Sequence, residues 1–324
     1  MWLIRRPRVR KARKAPKVLL FGTMVTVLVA GCGSGPSQVG SAVIVGNTAI
    51  PVSQVRDALQ WQLDNVPRVR QLQDSGNLPQ VSRQLVRRRV VHQLLDVAAE
   101  RAGVRAEKDA VSGLIESVGG KSAVSDKAGV APQRVHRLAT DQVLLRELGK
   151  HYVPRTTVSF VAGIVSPRGV SGTAEDTARE LAEKIAARPD RAEELLQRTD
   201  RSLHKENFEL ADAVRQAPEL SASALFGAAP GTVLVIQPRR SRGSWMVALV
   251  RDRTVGSAAT NAVAENVDDR LMTRVGLRML QPVAADLGVK INPRYGVWDT
   301  TAMDIAPSEQ EVAGYQFRSR TVRS

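Results

Sequence analysis

The chain has 324 residues, 43% of them apolar, with 24 glycines and few aromatics (5 Phe, 4 Trp, 3 Tyr). These proportions exclude wholesale disorder, collagen and a multi-span membrane protein, and the length suggests two domains with a core built mainly from Leu, Val, Ile and Ala. One cysteine excludes an internal disulfide framework and a multi-cysteine zinc site. The formal charge of +15 is uneven: residues 1–31 hold eight basic side chains and no acid, so 39 basic against 32 acidic residues remain elsewhere.

Behind that basic run comes Val18-Leu-Leu-Phe-Gly-Thr-Met-Val-Thr-Val-Leu-Val-Ala30, an apolar stretch of thirteen. A transmembrane helix needs about twenty such residues, so thirteen fits the apolar region of a signal peptide. It ends in Val29-Ala30-Gly31-Cys32, with the chain's single cysteine. This step resembles the bacterial lipobox, with Val29 where leucine is usual. The resemblance implies that the Cys32 thiol takes a diacylglycerol and that cleavage makes Cys32 the first residue. Two or more acyl chains would hold the protein on a membrane. Residues 1–31 thus read as a lipoprotein signal peptide and 32–40, rich in Gly and Ser, as a flexible tether. Arg5-Arg6 lacks the flanking pattern of twin-arginine export.

The β-branched run Ser41–Val45 reads as a strand, followed by a Gly46-Asn47 turn and an extended Ile50-Pro51 step. Ser53 reads as the N-cap of a helix with Val55, Leu59, Leu63 and Val66 on one face, broken by Pro67 and Gly76-Asn77. A longer helix is predicted from about Val81 to Arg101, its stripe Leu85, Val91, Leu94, Leu95, Ala98 and Ala99, with Arg87, Arg88 and Arg89 partly on its wet side. Gly103-Val104 reads as a Schellman stop. A third helix runs from Ala106 to Val118, a short helical turn leads to Gly129, and a fourth helix opens at Pro132 and ends at Gly149.

Pro154 marks a change of character. Thr156–Val165 reads as a strand, Thr173 opens a helix to about Arg188, and a second helix spans about Asp190 to Arg198. Val233–Ile236 and Trp245–Val250 read as two strands joined by a loop carrying Arg239, Arg240 and Arg242, which gives a βααββ unit. Helical periodicity returns over 261–287, with Pro282 kinking or ending it, and 288–298 read as extended. Residues after Asp299 show no periodicity and read as a loose tail.

The series resembles the SurA/PrsA group of secreted foldases. Gln84-Leu-Val-Arg-Arg-Arg-Val-Val-His-Gln-Leu-Leu95 with Ala102-Gly-Val104 is similar to the family's long helix and its exit. Val289–Asp299 is similar to the closing segment of actinobacterial members. The resemblance implies an α+β protein. Its helical SurA-type domain (41–153) is completed by a C-terminal helix and strand (256–299), a parvulin-like α/β domain (154–255) is inserted between them, and a tail (300–324) follows.

Parvulins keep one histidine in the first strand and another near the last. Here those places read Val158-Ser159-Phe160-Val161 and Ser244-Trp245-Met246-Val247. No catalytic residue is therefore assigned, and the resemblance implies a scaffold or an extra binding surface. The candidate working surface is a groove between N-terminal helices. Trp61 and Leu63, with Leu72 and Leu78 on the following loop, either project into it or belong to the core. His92, His136, His151 and His204, the last in a polar loop, have no metal-ligand spacing, so no metal and no cofactor is expected.

The expected function is a lipid-anchored chaperone on the outer face of the cytoplasmic membrane. It would bind unfolded or nascent secreted proteins without ATP, reach the membrane through its lipid, and bind no nucleic acid. The alternatives are an active prolyl isomerase with an unusual pocket and an envelope lipoprotein with one dedicated partner.

Overall fold

A computed structural model describes residues 39–167, 173–199, 201–237, 243–257 and 267–320. The signal peptide, Cys32, the arginine loop at 239–242 and the expected helix start at 261–266 lie outside the described residues.

Strands β1 (Ser41–Val45) and β2 (Thr48–Pro51) form a hairpin across the Gly46 turn. The other edge of β1 is taken by β7 (Val289–Ile291), giving the order β2-β1-β7. Helix α1 (Val52–Asn65) starts one residue before Ser53, with Pro51 at the N-cap. Pro67 does break it, but as the first residue of a further helix, α2 (Pro67–Asp74), so Leu72 lies on a helix rather than on the expected loop, and Leu78 likewise opens the next helix. Proline suits a first helical turn, where no N–H is needed.

Helix α3 (Leu78–Ala102) buries Leu85, Val86, Val90, Leu94, Leu95 and Ala98. It ends as expected, with Gly103 at φ 65° and Val104 N–H donating to the Ala99 carbonyl. Helices α4 (Lys108–Ser117) and α5 (Gly120–Ala128) follow, and α6 (Val135–Tyr152) comes after a 3-10 turn at Pro132–Arg134. Val111, Ile115, Val135, Ala139 and Val143 give α4 and the first half of α6 a small core of their own.

Helix α6 does not stop at Gly149 but runs three residues further. The glycine serves a close crossing instead. A Cβ there would fall on the Met272 carbonyl oxygen of α11 (Asp269–Met279), and a Cβ at Gly276 on the Leu145 carbonyl oxygen.

The middle of the chain is a five-stranded antiparallel sheet, ordered β10 (Gly314–Arg318), β5 (Thr232–Ile236), β6 (Trp245–Val255), β3 (Thr156–Val165) and β4 (Arg201–Glu209). Strand β3 (Thr156–Val165) is where the β-branched run predicts it. Strands β5 (Thr232–Ile236) and β6 (Trp245–Val255) alternate strictly between two cores. Leu234, Ile236, Met246, Ala248 and Val250 enter one, and Val233, Val235, Val247 and Leu249 the other. Both faces are buried, which explains the unbroken apolar runs.

Helices α7 (Ala174–Ala187) and α8 (Ala192–Leu196) cover one face; α9 (Leu210–Gln216), the turn at Ala224–Phe226 and α11 cover the other. Thr173 caps α7 by accepting from Asp176 N–H. A short α10 (Pro218–Ser221) joins α9 to that turn.

Two expectations fail here. Strand β4 (Arg201–Glu209), with His204 on it, replaces the expected polar loop. It is an exposed edge strand carrying Arg201, His204, Lys205, Glu206 and Glu209, the charged composition that keeps an edge from pairing with another chain. The segment after Asp299 is not a loose tail. Met303 and Ile305 are buried in the helical core, β9 (Asp304–Ala306) pairs with β8 (Val297–Asp299), and β10 (Gly314–Arg318) adds the fifth strand to the sheet. The Asp299 carboxylate, 4% exposed, fastens this segment by accepting from Ala302 N–H at 2.9 Å and Ala313 N–H at 2.5 Å.

Helix α11 puts Met272, Val275 and Met279 into the sheet's core while crossing α6, and α12 (Gln281–Leu287) puts Val283 and Ala284, with Leu280 before it, into the helical core. By their contacts the described residues from 39 onward form one compact unit.

Candidate functional site

Two stripes of helical spacing face one groove. On α3 they are Leu85, Arg88, Arg89 and His92; on the 3-10 turn and α6 they are Arg134, Arg137, Leu138 and Asp141. Each set follows i, i+3, i+4, i+7, which places it along one side of a helix. Helix α1 adds Asp57, Ala58 and Trp61, and the Gly129–Ala131 link between α5 and the 3-10 turn adds the remaining wall. The groove is open to solvent, with a volume of about 250 Å³.

The link is held in place from below. Gln62 Nε2 donates to the Gly129 carbonyl at 2.5 Å, Arg88 Nη2 to the Ala128 carbonyl at 2.8 Å, and Ser125 Oγ to the Val130 carbonyl at 2.6 Å. Gly129 sits at φ 58°, a left-handed C-cap that favours glycine. Half-buried carbonyls at the end of α5 thereby find donors, as backbone groups withdrawn from water need to.

The electrostatics are cationic. His92 Nδ1 lies 2.9 Å from Asp141 Oδ1, and its Nε2 3.5 Å from Asp96 and 3.4 Å from Arg137 Nη1. The hydrogen bond to Asp141 holds the imidazole above its ordinary pKa against the opposing effect of burial. Burial, joined by Arg87, lowers Arg88, and burial, joined by Arg134 and Arg137, lowers Arg89. Arg89 and Arg134 make no ion pair with an acid among the described residues.

Of the four apolar candidates, Trp61 alone lines this groove. Leu63, Leu72 and Leu78 are half-buried and pack against the helical core. The groove's arginines, His92, Leu138 and Asp141 are not singled out by sequence reasoning, although their spacing is a readable signal. His136 is exposed, and His204 lies 3.6 Å from Glu193 and 3.4 Å from Glu206 on the sheet's edge. Among the described residues no cluster of His, Cys, Asp and Glu is arranged to hold a metal, and no helix is long and apolar enough to cross a membrane.

Two wider clefts, of about 830 and 1110 Å³, run along the C-terminal segment. Their walls mix Glu175, Glu183 and Glu309 with Arg179 in one, and Glu219 and Glu311 with Arg274 and Arg278 in the other. The first is the more acidic, with Asp176 and Asp299 also facing the single Arg179 and with Trp298, Tyr315 and Phe317 beside them, and the second mixes both charges; of the three, the α1–α3–α6 groove is the one with an excess of cations.

Residues 8–121 match the family model described as SurA-like N-terminal domain. The chain carries a SurA-like N-terminal domain. The match takes in α1 to α4, so Trp61 and the arginine stripe of α3 lie within it, while Arg134, Arg137 and Asp141 lie beyond its end. A mixed α+β architecture follows it, with the sheet after the helical part. Such domains are of chaperone type and bind unfolded proteins generally. No curated protein matches the chain.

Proposed function

We propose that this chain is a lipid-anchored extracytoplasmic chaperone of the SurA/PrsA type, binding unfolded exported polypeptides in the α1–α3–α6 groove without catalysis. The observation that carries this reading is the groove itself: a concave slot with Trp61, Leu85 and Leu138 on its walls, one side of which, including Trp61 and Leu85, comes from the SurA-like domain. Apolar area of this kind binds extended chains without a sequence code, at about 25 cal/mol per Å² buried.

The β3–β6 region supports a non-catalytic reading of the parvulin-like part. At the strand positions where parvulins keep histidines, Val158, Phe160, Val161, Met246 and Val247 are buried and apolar. Phe208 stacks at an angle between Phe160 and Phe226, with ring centroids 6.2 and 5.8 Å apart, so aromatic packing occupies that face. Easing rotation about a bond with a barrier of about 18–20 kcal/mol needs polar groups in a pocket, and this face offers none of the expected ones.

The lipid anchor rests on the Val29-Ala30-Gly31-Cys32 step. Cys32→Ser is expected to move the protein from the membrane fraction to the soluble extracytoplasmic fraction and to abolish labelling by a fatty-acid analogue. Labelling retained in Cys32→Ser removes the anchor from this reading. The chaperone activity is tested by light scattering. The purified chain should suppress aggregation of several chemically unfolded clients at near-equimolar ratio, and failure on all of them rejects the function.

A further inference from the structure

We propose that the α1–α3–α6 groove selects extended client segments in which an acidic residue stands beside an apolar one, the carboxylate held by Arg89, Arg134 and Arg137 and the apolar side chain by Trp61, Leu85 and Leu138. This rests on the chaperone reading of the groove and adds the chemistry of the client.

Charge complementarity carries the argument. Four arginines line the groove against two aspartates, and one of these, Asp141, is already hydrogen-bonded to His92. Arg134 and Arg137 are exposed and flank the half-buried Arg89, and the three repel one another without an acid to bridge Arg89 and Arg134 among the described residues. Arg88, deeper in the wall, keeps Nη1 buried with no hydrogen-bond partner among the described residues. A site that gathers cations at this cost, beside an apolar wall, is complementary to an anion with an apolar neighbour.

Guanidinium groups match carboxylates two bonds at a time, which makes arginine rather than lysine the suitable residue here. The size narrows the occupant further. A volume of about 250 Å³ lies below the range of sites for drug-sized ligands, about 300–1,000 Å³, and suits one or two residues of a strand passing through. The arginines line a concave slot rather than spread over a convex face, which favours a chain over the flat headgroup layer of a membrane.

The test uses the full-length chain and labelled twelve-residue peptides read by fluorescence anisotropy. A peptide alternating Leu and Glu is expected to bind about tenfold more tightly than its Leu–Gln counterpart, from three charge-assisted contacts that are partly exposed. Added salt should narrow the difference, and Leu–Lys and Ser–Glu peptides should bind weakly.

Replacing Arg89, Arg134 and Arg137 together with Ala should erase the preference for Glu. Arg134→Ala with Arg137→Ala, both at exposed positions, should reduce it should the triple variant fold poorly. Equal affinity for the Glu and Gln peptides, or a preference that survives in these variants, overturns the proposal. Arginine-dependent binding to phosphatidylglycerol vesicles, with no charge preference among peptides, also overturns it and reassigns the cluster to lipid. Aggregation suppression separates the two levels: client protection without charge preference rejects this inference alone, whereas absence of protection rejects the chaperone reading itself.

Discussion

The hydrogen bond that His92 Nδ1–H donates to the Asp141 carboxylate ties α3 to α6 along the groove wall, and it does so best when the imidazole is charged. A histidine whose folded pKa is raised contributes stability that is complete below its unfolded pKa of about 6.5 and fades as pH rises through the folded value. His92→Gln should therefore lower the urea midpoint most at mildly acid pH, and the gap to the parent chain should shrink as pH rises through the folded pKa. A gap independent of pH would show that folding leaves the His92 pKa at its unfolded value, against this reading. Asp299 acts differently, through geometry. Asp299→Ala leaves the Ala302 and Ala313 N–H groups without their acceptor, and each unsatisfied buried donor costs about 1–3 kcal/mol. Its unfolding midpoint should fall accordingly, and amide exchange should quicken first over 300–318.

Helices α6 and α11 approach so closely at Gly149 and Gly276 that neither position has space for a methyl group. Gly276→Ala must push the helices apart, and overpacking of this kind costs about 1–3 kcal/mol or more. Chemical denaturation should show that loss, whereas Gly113→Ala in α4, which meets open space, should be neutral or stabilising. The same glycines show where the sequence is ambiguous. A glycine between apolar helical residues reads equally as a stop or as a place where another backbone passes. Only the partner, more than a hundred residues away, decides between the two.

Elements with their own periodicity or caps were legible: α3 with its Gly103 exit, β3, β5 and the Thr173-capped α7. Strand β4 was not, because most of this edge strand is exposed and only Leu203 and Phe208, five residues apart, turn to the core, which leaves no alternation to read. The groove was half legible. Trp61 is readable as a candidate, whereas Arg88 and Arg89 read as part of a wet side and Arg134 and Arg137 carry no reading of their own, since a helix turned to water and a helix lining a slot carry the same pattern until a second helix closes over it.

At the scale of the whole molecule, both main cores depend on the last third of the chain. Leu280 and Val283 complete the helical core, and Met272, Val275 and Met279 the sheet's. At about 1.5–3 kcal/mol for each buried side chain, these five together rival the entire stability of a typical domain, about 5–15 kcal/mol. A chain ending at residue 266 is expected to show no cooperative unfolding transition by circular dichroism. One ending at 299 should still fold, but with a lower midpoint, since it loses Met303, Ile305 and the strand that covers β5. Equal midpoints for the 299-residue and full-length chains would remove the C-terminal segment from the fold's energetics.

Strand β1 receives its second neighbour from residues 289–291, some 240 positions later in the chain. Loop closure over such a distance is slow relative to local helix formation. A polypeptide emerging from its N-terminus onward would thus hold an unfinished sheet edge and a half-roofed helical core until nearly all of it had appeared. For most of its own biogenesis this protein would resemble the very clients it is proposed to shelter, and neighbours that have already matured are the obvious guardians of the newcomer.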